Sequence, residues 1–264
     1  MIKADLVMWA KNGAATLPQV LACIDEVVPR ENVCHRILVD DHSVDDTVKI
    51  AKEFGWQVYP NPQSGISSGA NEALRHVDME YFVSFEQDLL LSESWWSKVV
   101  PHLKDNVAVV SGLRFSILPT YLKKLQIYSL RKFVPATLDN TLWATKVVRS
   151  VGGFPDLPCS SGVDRVMLQK ILDAGWNWVV DCSVQSEHLH SGLTSEMKRQ
   201  YWYGLAYNPV KKYVVGPSKF TVMLHCFLSP LIGLKIMVNV HSPQVVFAYP
   251  LLRLSHVWGM LRSR

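Results

Sequence analysis

Four short apolar runs fall within the first 85 residues, each parted from the next by a helix-like or turn-like stretch, and this alternation constrains the fold more than any other feature. Ala4–Ala10 reads as a buried strand, and Leu17–Val28 as a helix with apolar residues at 17, 20, 21, 24, 27 and 28. Arg36–Val39 is a second strand, and Asp45 or Asp46 can cap the helix expected over Thr47–Phe54. Trp56–Tyr59 is a third strand, Gly69–Arg75 a helix and Tyr81–Phe85 a fourth strand. Such alternation predicts an α/β domain with a mostly parallel, doubly wound sheet. Ligands of these sheets bind beyond the carboxyl ends of the strands. Two acidic clusters fall at such ends: Asp40 with Asp41, and Glu86 with Asp88.

The middle of the chain reads less cleanly. Val107–Leu113 is a strand, and the stretch YLKKLQIYSLRKF at 121–133 is basic. Gly152-Gly153-Phe154-Pro155 is a turn, Ser161–Gly175 a helix ended by Gly175, and Trp178–Val180 a short strand. No internal repeat and no Pro/Gly/Ser linker divides the chain. The organisation expected is one catalytic domain over 1–197 and a C-terminal extension over 198–264.

Carboxylates at strand ends suit two tasks. An Asp accepts the N–H groups of uracil or guanine, and a pair two residues apart can face a diphosphate-bound Mg²⁺ or Mn²⁺, ions that take oxygen ligands. The same acids can equally be solvated or cap the next helix, and spacing alone leaves both readings open. Neither GxxxxGK[ST] nor GxGxxG occurs, which argues against kinase, ATPase and dehydrogenase chemistry.

Five segments in register make the pattern specific. The run LVDDHSVDDT at 38–47 resembles the nucleotide-binding segment of family 2 glycosyltransferases, whose usual form is VVDDGSTDGT. LVMWAKNGAATLPQVL, SGISSGANEAL, YFVSFEQDLLL and GGFPDLPCSSGVDRVMLQKILDAGW resemble, in order, that family's opening strand and helix, its Gly/Asn helix start, its DxD strand and its acceptor-side segment. The resemblance covers about residues 4–190 and implies a GT-A-like fold. It implies that Asp41 contacts the base with Asp40 in support, that Ala10 and Asn12 line base and ribose, and that Asn71 belongs to the donor site. Asp88 then matches the metal-binding Asp of DxD and Glu86 its first acid, facing ribose or metal. Asp164 matches the expected general base, and His188 a histidine that helps bind metal or diphosphate, a role His190 could equally fill.

Some residues depart from the family pattern. Trp9 and Lys11 alter the base pocket, Ala70 stands where many members carry Arg, and Val163 replaces the Glu beside Asp164. The processive-synthase QxxRW motif is missing, which argues against a long-chain polymerase. The implied reaction moves a sugar, with inversion, from a nucleoside-diphosphate-sugar to a hydroxyl acceptor, using Mn²⁺ or Mg²⁺. A glycoside hydrolase would leave the Asp40-Asp41 strand end unexplained. A membrane-associated nucleotide-binding or scaffold protein without turnover is the non-enzymatic alternative.

The net charge of +4 hides an asymmetry. Residues 198–264 hold nine Lys/Arg and no acid, so residues 1–197 carry 18 basic and 23 acidic side chains, a net of −5. A basic, acid-free tail implies a polyanionic partner. Apolar runs such as FTVMLHCFLSPLIGL make that partner a membrane surface rather than nucleic acid. Phe220–Leu234 has 15 uncharged residues and Ile236–Leu252 has 17, but Pro and polar residues interrupt them. Interfacial helices or a helical hairpin are therefore expected, forming a membrane-associating extension beside a lipid-linked or glycan acceptor. Five Cys without CxxC spacing and an N-terminus without the apolar core of a secretory signal suit a cytoplasmic protein, peripheral on the inner face of the cell membrane.

Overall fold

The computed structural model describes residues 2–116, 119–131, 135–159, 161–189 and 192–264. The chain begins with β1 (Ala4–Ala10), α1 (Leu17–Val27), β2 (Val33–Asp40), α2 (Thr47–Glu53), β3 (Gln57–Pro60), α3 (Ile66–Arg75), β4 (Tyr81–Glu86), β5 (Leu89–Leu90) and α4 (Trp95–Val99). It continues through β6 (Val107–Ser116), α5 (Thr120–Leu130), β7 (Asn140–Ala144), α6 (Thr145–Ser150), α7 (Val163–Asp173) and β8 (Asn177–His188). The remaining helices are α8 (Leu193–Leu205), α9 (Tyr207–Lys211), α10 (Lys219–Phe227), α11 (Ser229–Val240) and α12 (Val245–Arg262). Two compact units result. The first comprises Met1–Arg114, Ala136–Asp156 and Met167–Leu189; the second comprises Phe115–Pro135, Leu157–Val166 and His190–Arg264.

The first unit is built on a sheet of strand order β3-β2-β1-β4-β7-β6-β8-β5. β1 pairs in parallel with β2 and β4, and β2 with β3. The β4–β7, β6–β7 and β5–β8 pairs are antiparallel. The sheet is therefore mixed, which corrects the expectation of a mostly parallel one. Parallel neighbours need crossover connections, and residues 4–86 supply them as helices between successive strands. β7 arrives only after β6 and α5, and enters beside β4 running the other way.

β1 is buried along its whole length because both faces are covered. On one face Ala4, Leu6, Met8 and Ala10 join a core with Leu17, Val20, Leu21 and Ile24 of α1. Each of these larger α1 side chains contributes about 1.5–3 kcal/mol by burial, before the entropy of ordering it is counted. Trp9 projects to the other face, meeting Phe154 edge-on with centroids 6.2 Å apart. Gly69 lets α3 approach there, since a Cβ on it would lie 3.0 Å from the Trp9 Cβ.

In the second unit α5, α11 and α12 bury Leu122, Leu125, Ile236, Val245, Ala248, Tyr249 and Leu252 together. α8 and α12 pack backbone to backbone: a Cβ on Gly204 would lie 2.1 Å from the His256 carbonyl oxygen. Other apolar side chains of α10–α12 face outward. Phe220 is 75% exposed, Phe227 80%, Leu231 69% and Phe247 75%. Among the described residues no single helix is long and apolar enough to cross a membrane; α10 and α11 pass that test only as a pair, bent by 63°.

Candidate functional site

β1 lies between β2 and β4, with Ala10 opposite Asp40 and Trp9 opposite Glu86. Neighbouring strands are about 4.8 Å apart, so the two acidic strand ends sit about 10 Å from one another across β1. Side chains stitch the loops beyond these ends together. The Lys11 N–H donates to Gln87 Oε1 at 2.7 Å, and Gln87 Nε2 donates to the Lys11 carbonyl at 2.9 Å. The Asn12 N–H donates to Ser43 Oγ at 2.8 Å, and Asn12 Oδ1 accepts from the Val44 N–H at 2.9 Å. Asn12 adopts φ +50°, a left-handed conformation that asparagine tolerates. Gly13 is needed for fit, because a Cβ there would meet Gln87 Cδ at 2.8 Å.

Asp41 Oδ1 accepts from Asn61 Nδ2 at 3.0 Å and from the Gly65 N–H at 3.3 Å, while its Oδ2 lies 3.3 Å from Lys11 Nζ. Asp40 Oδ2 accepts from the Ser43 N–H at 3.1 Å. Its Oδ1 is buried with no hydrogen-bond partner among the described residues. Of the two acids expected to cap α2, Asp46 holds the N-cap position without a side-chain bond, and Asp45 just before it supplies the bonds, its carboxylate accepting from the Thr47 hydroxyl and N–H and from the Ala14 N–H. Those bonds, the Thr47 hydroxyl first, hold its carboxyl below the ordinary pKa. Asn71 uses its amide on the Phe154 backbone, accepting from the N–H and donating to the carbonyl, both at 2.9 Å. It ties α3 to the turn at Gly152-Gly153.

Glu86, Asp88 and His188 offer ligand atoms that all lie within 4.8 Å of one another. His188 Nε2 is 3.6 Å from Glu86 Oε2 and 3.5 Å from Asp88 Oδ1. Asp88 and His188 are buried and Glu86 is half-buried. Two carboxylates and one imidazole form an oxygen-rich donor set of the kind Mn²⁺ and Mg²⁺ accept, and donors around one such ion lie within about 4–5 Å of each other. The residues present fit a divalent cation. The β5–β8 pair sets Leu89 opposite His188, and the Leu189 N–H donates to the Asp88 carbonyl at 2.8 Å, so the strand register brings the histidine to the acids.

Arg114 Nη1 donates to Glu86 Oε2 at 3.1 Å and lies 2.7 Å from Asp139 Oδ2. Burial pushes the Asp139 carboxyl up, and the Arg114 guanidinium pulls it back down. The motifs singled out neither residue. The one signal available was an arginine in an otherwise uncharged strand, VAVVSGLRFS. Asp164 lies on the first turn of α7, in the second unit, and its Oδ1 accepts from the Arg165 N–H at 2.8 Å. The first unit thus contains Ala10, Asn12, Asp40, Asp41, Asn71, Glu86, Asp88 and His188; it brings Glu86, Asp88 and His188 within 4.8 Å of one another and sets Ala10 beside Asp40, while the Asn71 side chain is spent on the Phe154 backbone. His190, and Lys132 of the basic stretch, lie outside the described residues.

The model of glycosyl transferase family 2 matches residues 5–154, more than half of the chain. The chain belongs to glycosyl transferase family 2. No curated protein matches it by sequence. Among solved structures, the mannosyltransferase PcManGT from Pyrobaculum calidifontis, in complex with GDP-Man and Mn²⁺, is similar with a TM-score of 0.66 at 17% identity, over 96% of this chain and 73% of that one. Glucosyl-3-phosphoglycerate synthase from Mycobacterium tuberculosis, in complex with Mn²⁺, UDP and glucosyl-3-phosphoglycerate, gives 0.54 at 19% identity over 78% and 79%. Residues 1–349 of S. aureus TarS give 0.57 at 13% identity over 98% and 89%. These likenesses establish a GT-A-like α/β fold for this glycosyltransferase.

Proposed function

We propose that this glycosyltransferase moves a sugar, with inversion, from a nucleoside-diphosphate-sugar to the hydroxyl of a lipid-linked or glycan acceptor, at the cytoplasmic surface of an anionic membrane. The Glu86–Asp88–His188 cluster, beside the joined loops of β1 and β2, is the observation that carries the donor half of this reading. The Asp40–Asp41 strand end suits the base and ribose, with Lys11 and Asn12 bounding the same loops. A divalent cation held by Glu86, Asp88 and His188 would offset the negative charge that develops on the departing diphosphate. Asp164 is assigned the general-base role by its match to the acceptor-side segment, taking the proton from the attacking hydroxyl.

The membrane half rests on α10–α12. Their exposed Phe220, Phe227, Leu231 and Phe247 lie in a segment with nine Lys/Arg and no acid. Exposed apolar side chains among cations suit insertion at an anionic headgroup layer, not a full crossing. α5 packs with α11 and α12, which puts its Lys123 and Lys124 in the same unit.

The test is transfer from a panel of UDP-, GDP- and dTDP-sugars with Mn²⁺ or Mg²⁺. Turnover from one donor, abolished by EDTA and restored by Mn²⁺, is expected. Donor binding without turnover across the panel would support the scaffold alternative, and full activity in chelator would remove the cation from the mechanism.

A further inference from the structure

The Glu86 carboxylate is held by groups that belong to neither acidic motif. Arg114 Nη1 reaches Glu86 Oε2 at 3.1 Å and Asp139 Oδ2 at 2.7 Å, so one guanidinium nitrogen joins the two acids. The Asp139 side chain is 1% exposed, against 20% for Arg114 and 25% for Glu86.

Asp139 is itself fixed from both sides. Its neighbour Asn140 accepts from the Gly112 N–H at 3.0 Å and donates to the Leu113 carbonyl at 3.2 Å, clamping the two residues that precede Arg114. Trp95 Nε1 donates to the Asn140 carbonyl at 3.0 Å, and the Ser84 hydroxyl donates to the Leu138 carbonyl. The backbone on either side of Asp139 is therefore held beside the strand that carries the arginine, and Arg114 is the cation that faces its buried carboxylate. A buried carboxylate without its cation is strongly unfavourable, which keeps the guanidinium from swinging into solvent.

We propose that Arg114, anchored by Asp139, is a positioning residue that fixes the Glu86 carboxylate toward Asp88 and His188. The inference rests on the reading of that cluster as a divalent-cation site. Arg114 touches neither donor nor acceptor in this account; it acts through Glu86. Outer partners of metal-ligating groups orient them, and their loss typically costs 10–100-fold in metal affinity.

The experiment reads Mn²⁺ uptake by the full chain, without nucleotide or acceptor, from the electron paramagnetic resonance of the free ion. Arg114→Lys keeps the charge but puts it on a shorter, non-planar head group, so a change reports geometry rather than net charge. It is expected to weaken Mn²⁺ binding about 10-fold. Glu86→Gln also weakens it, and adding Arg114→Lys to Glu86→Gln should change it less than about 2-fold, because the arginine acts through that carboxylate. Asp139→Asn should reproduce the Arg114→Lys loss; if it does not fold, as judged by circular dichroism and melting, the Arg114 and Glu86 cycle decides alone. Unchanged affinity in Arg114→Lys, or additive losses in the double variant, overturns the proposal while leaving the cation site standing. Wild type that takes up no Mn²⁺ overturns the cation site and this proposal together.

Discussion

Both oxygens of Asp41 already have partners within the protein, Asn61 and Gly65 on one and Lys11 on the other, whereas Asp40 keeps Oδ1 buried and unpartnered among the described residues. An unsatisfied buried oxygen costs on the order of 1–3 kcal/mol, a cost that Asp40 bears and Asp41 does not. The general-base assignment gives a separate expectation. Asp164→Asn should lower kcat by about 10²–10⁴-fold while donor KM and Mn²⁺ uptake stay at wild-type values, since the amide cannot take a proton. Wild-type turnover in a folded Asp164→Asn protein would refute the role. Of the site residues, Glu86 and Asp88 were legible as acids at a strand end. Arg114 and Asp139 were not, because an ion pair between residues 25 apart in sequence leaves no local pattern.

At the scale of elements, the α8–α12 pair is held by close backbone approach. A Cβ on Gly259 would come 2.0 Å from the Tyr201 carbonyl oxygen, matching the constraint at Gly204. His256 sits in this pair, and burial, with the nearby cations Arg253 and Arg165 adding to it, lowers its pKa to about 4, although the Gln200 backbone bond works in the opposite direction. The unfolded histidine takes a proton near pH 6.5, and the folded one resists until about 4, so the unfolded state binds more protons between these values. Stability therefore falls as pH drops through that window, by about 3 kcal/mol across all of it and about 2 kcal/mol by pH 5. Urea unfolding at pH 7 and pH 5 checks this. Wild type should lose about 2 kcal/mol more than His256→Gln on acidification, and equal losses would remove His256 as the cause.

At the scale of the whole molecule, the charge asymmetry and the outward apolar side chains of α10–α12 lead to one measurement. With anionic liposomes at low salt, the full chain should float, and a chain ending at Tyr213 should float less. Each Lys/Arg near an anionic leaflet contributes up to about 1 kcal/mol, and screening weakens that with salt. Flotation should accordingly fall as salt is raised, leaving the part carried by Phe220, Phe227, Leu231 and Phe247. If both chains stay in the soluble fraction at low salt, the membrane assignment is wrong. The exposed side chains would then need another partner.

The sequence by itself determined the parallel half of the sheet. There hydrophobic runs, helical periodicity and strand-end acids are local, and β1 lies over Ala4–Ala10 as its apolar run indicates. It did not determine the antiparallel half. β8 spans 12 residues where apolar content marked only Trp178–Val180, because the buried positions toward its end include Ser186 and His188, so alternation in burial was not alternation in hydrophobicity. The family resemblance named His188, but only the β5–β8 pairing brings it to Asp88. Only tertiary structure brought Arg114 and Asp139 to Glu86, since neighbours across a sheet are chosen by strand order and register, which depend on the packing of the whole unit rather than on nearby residues.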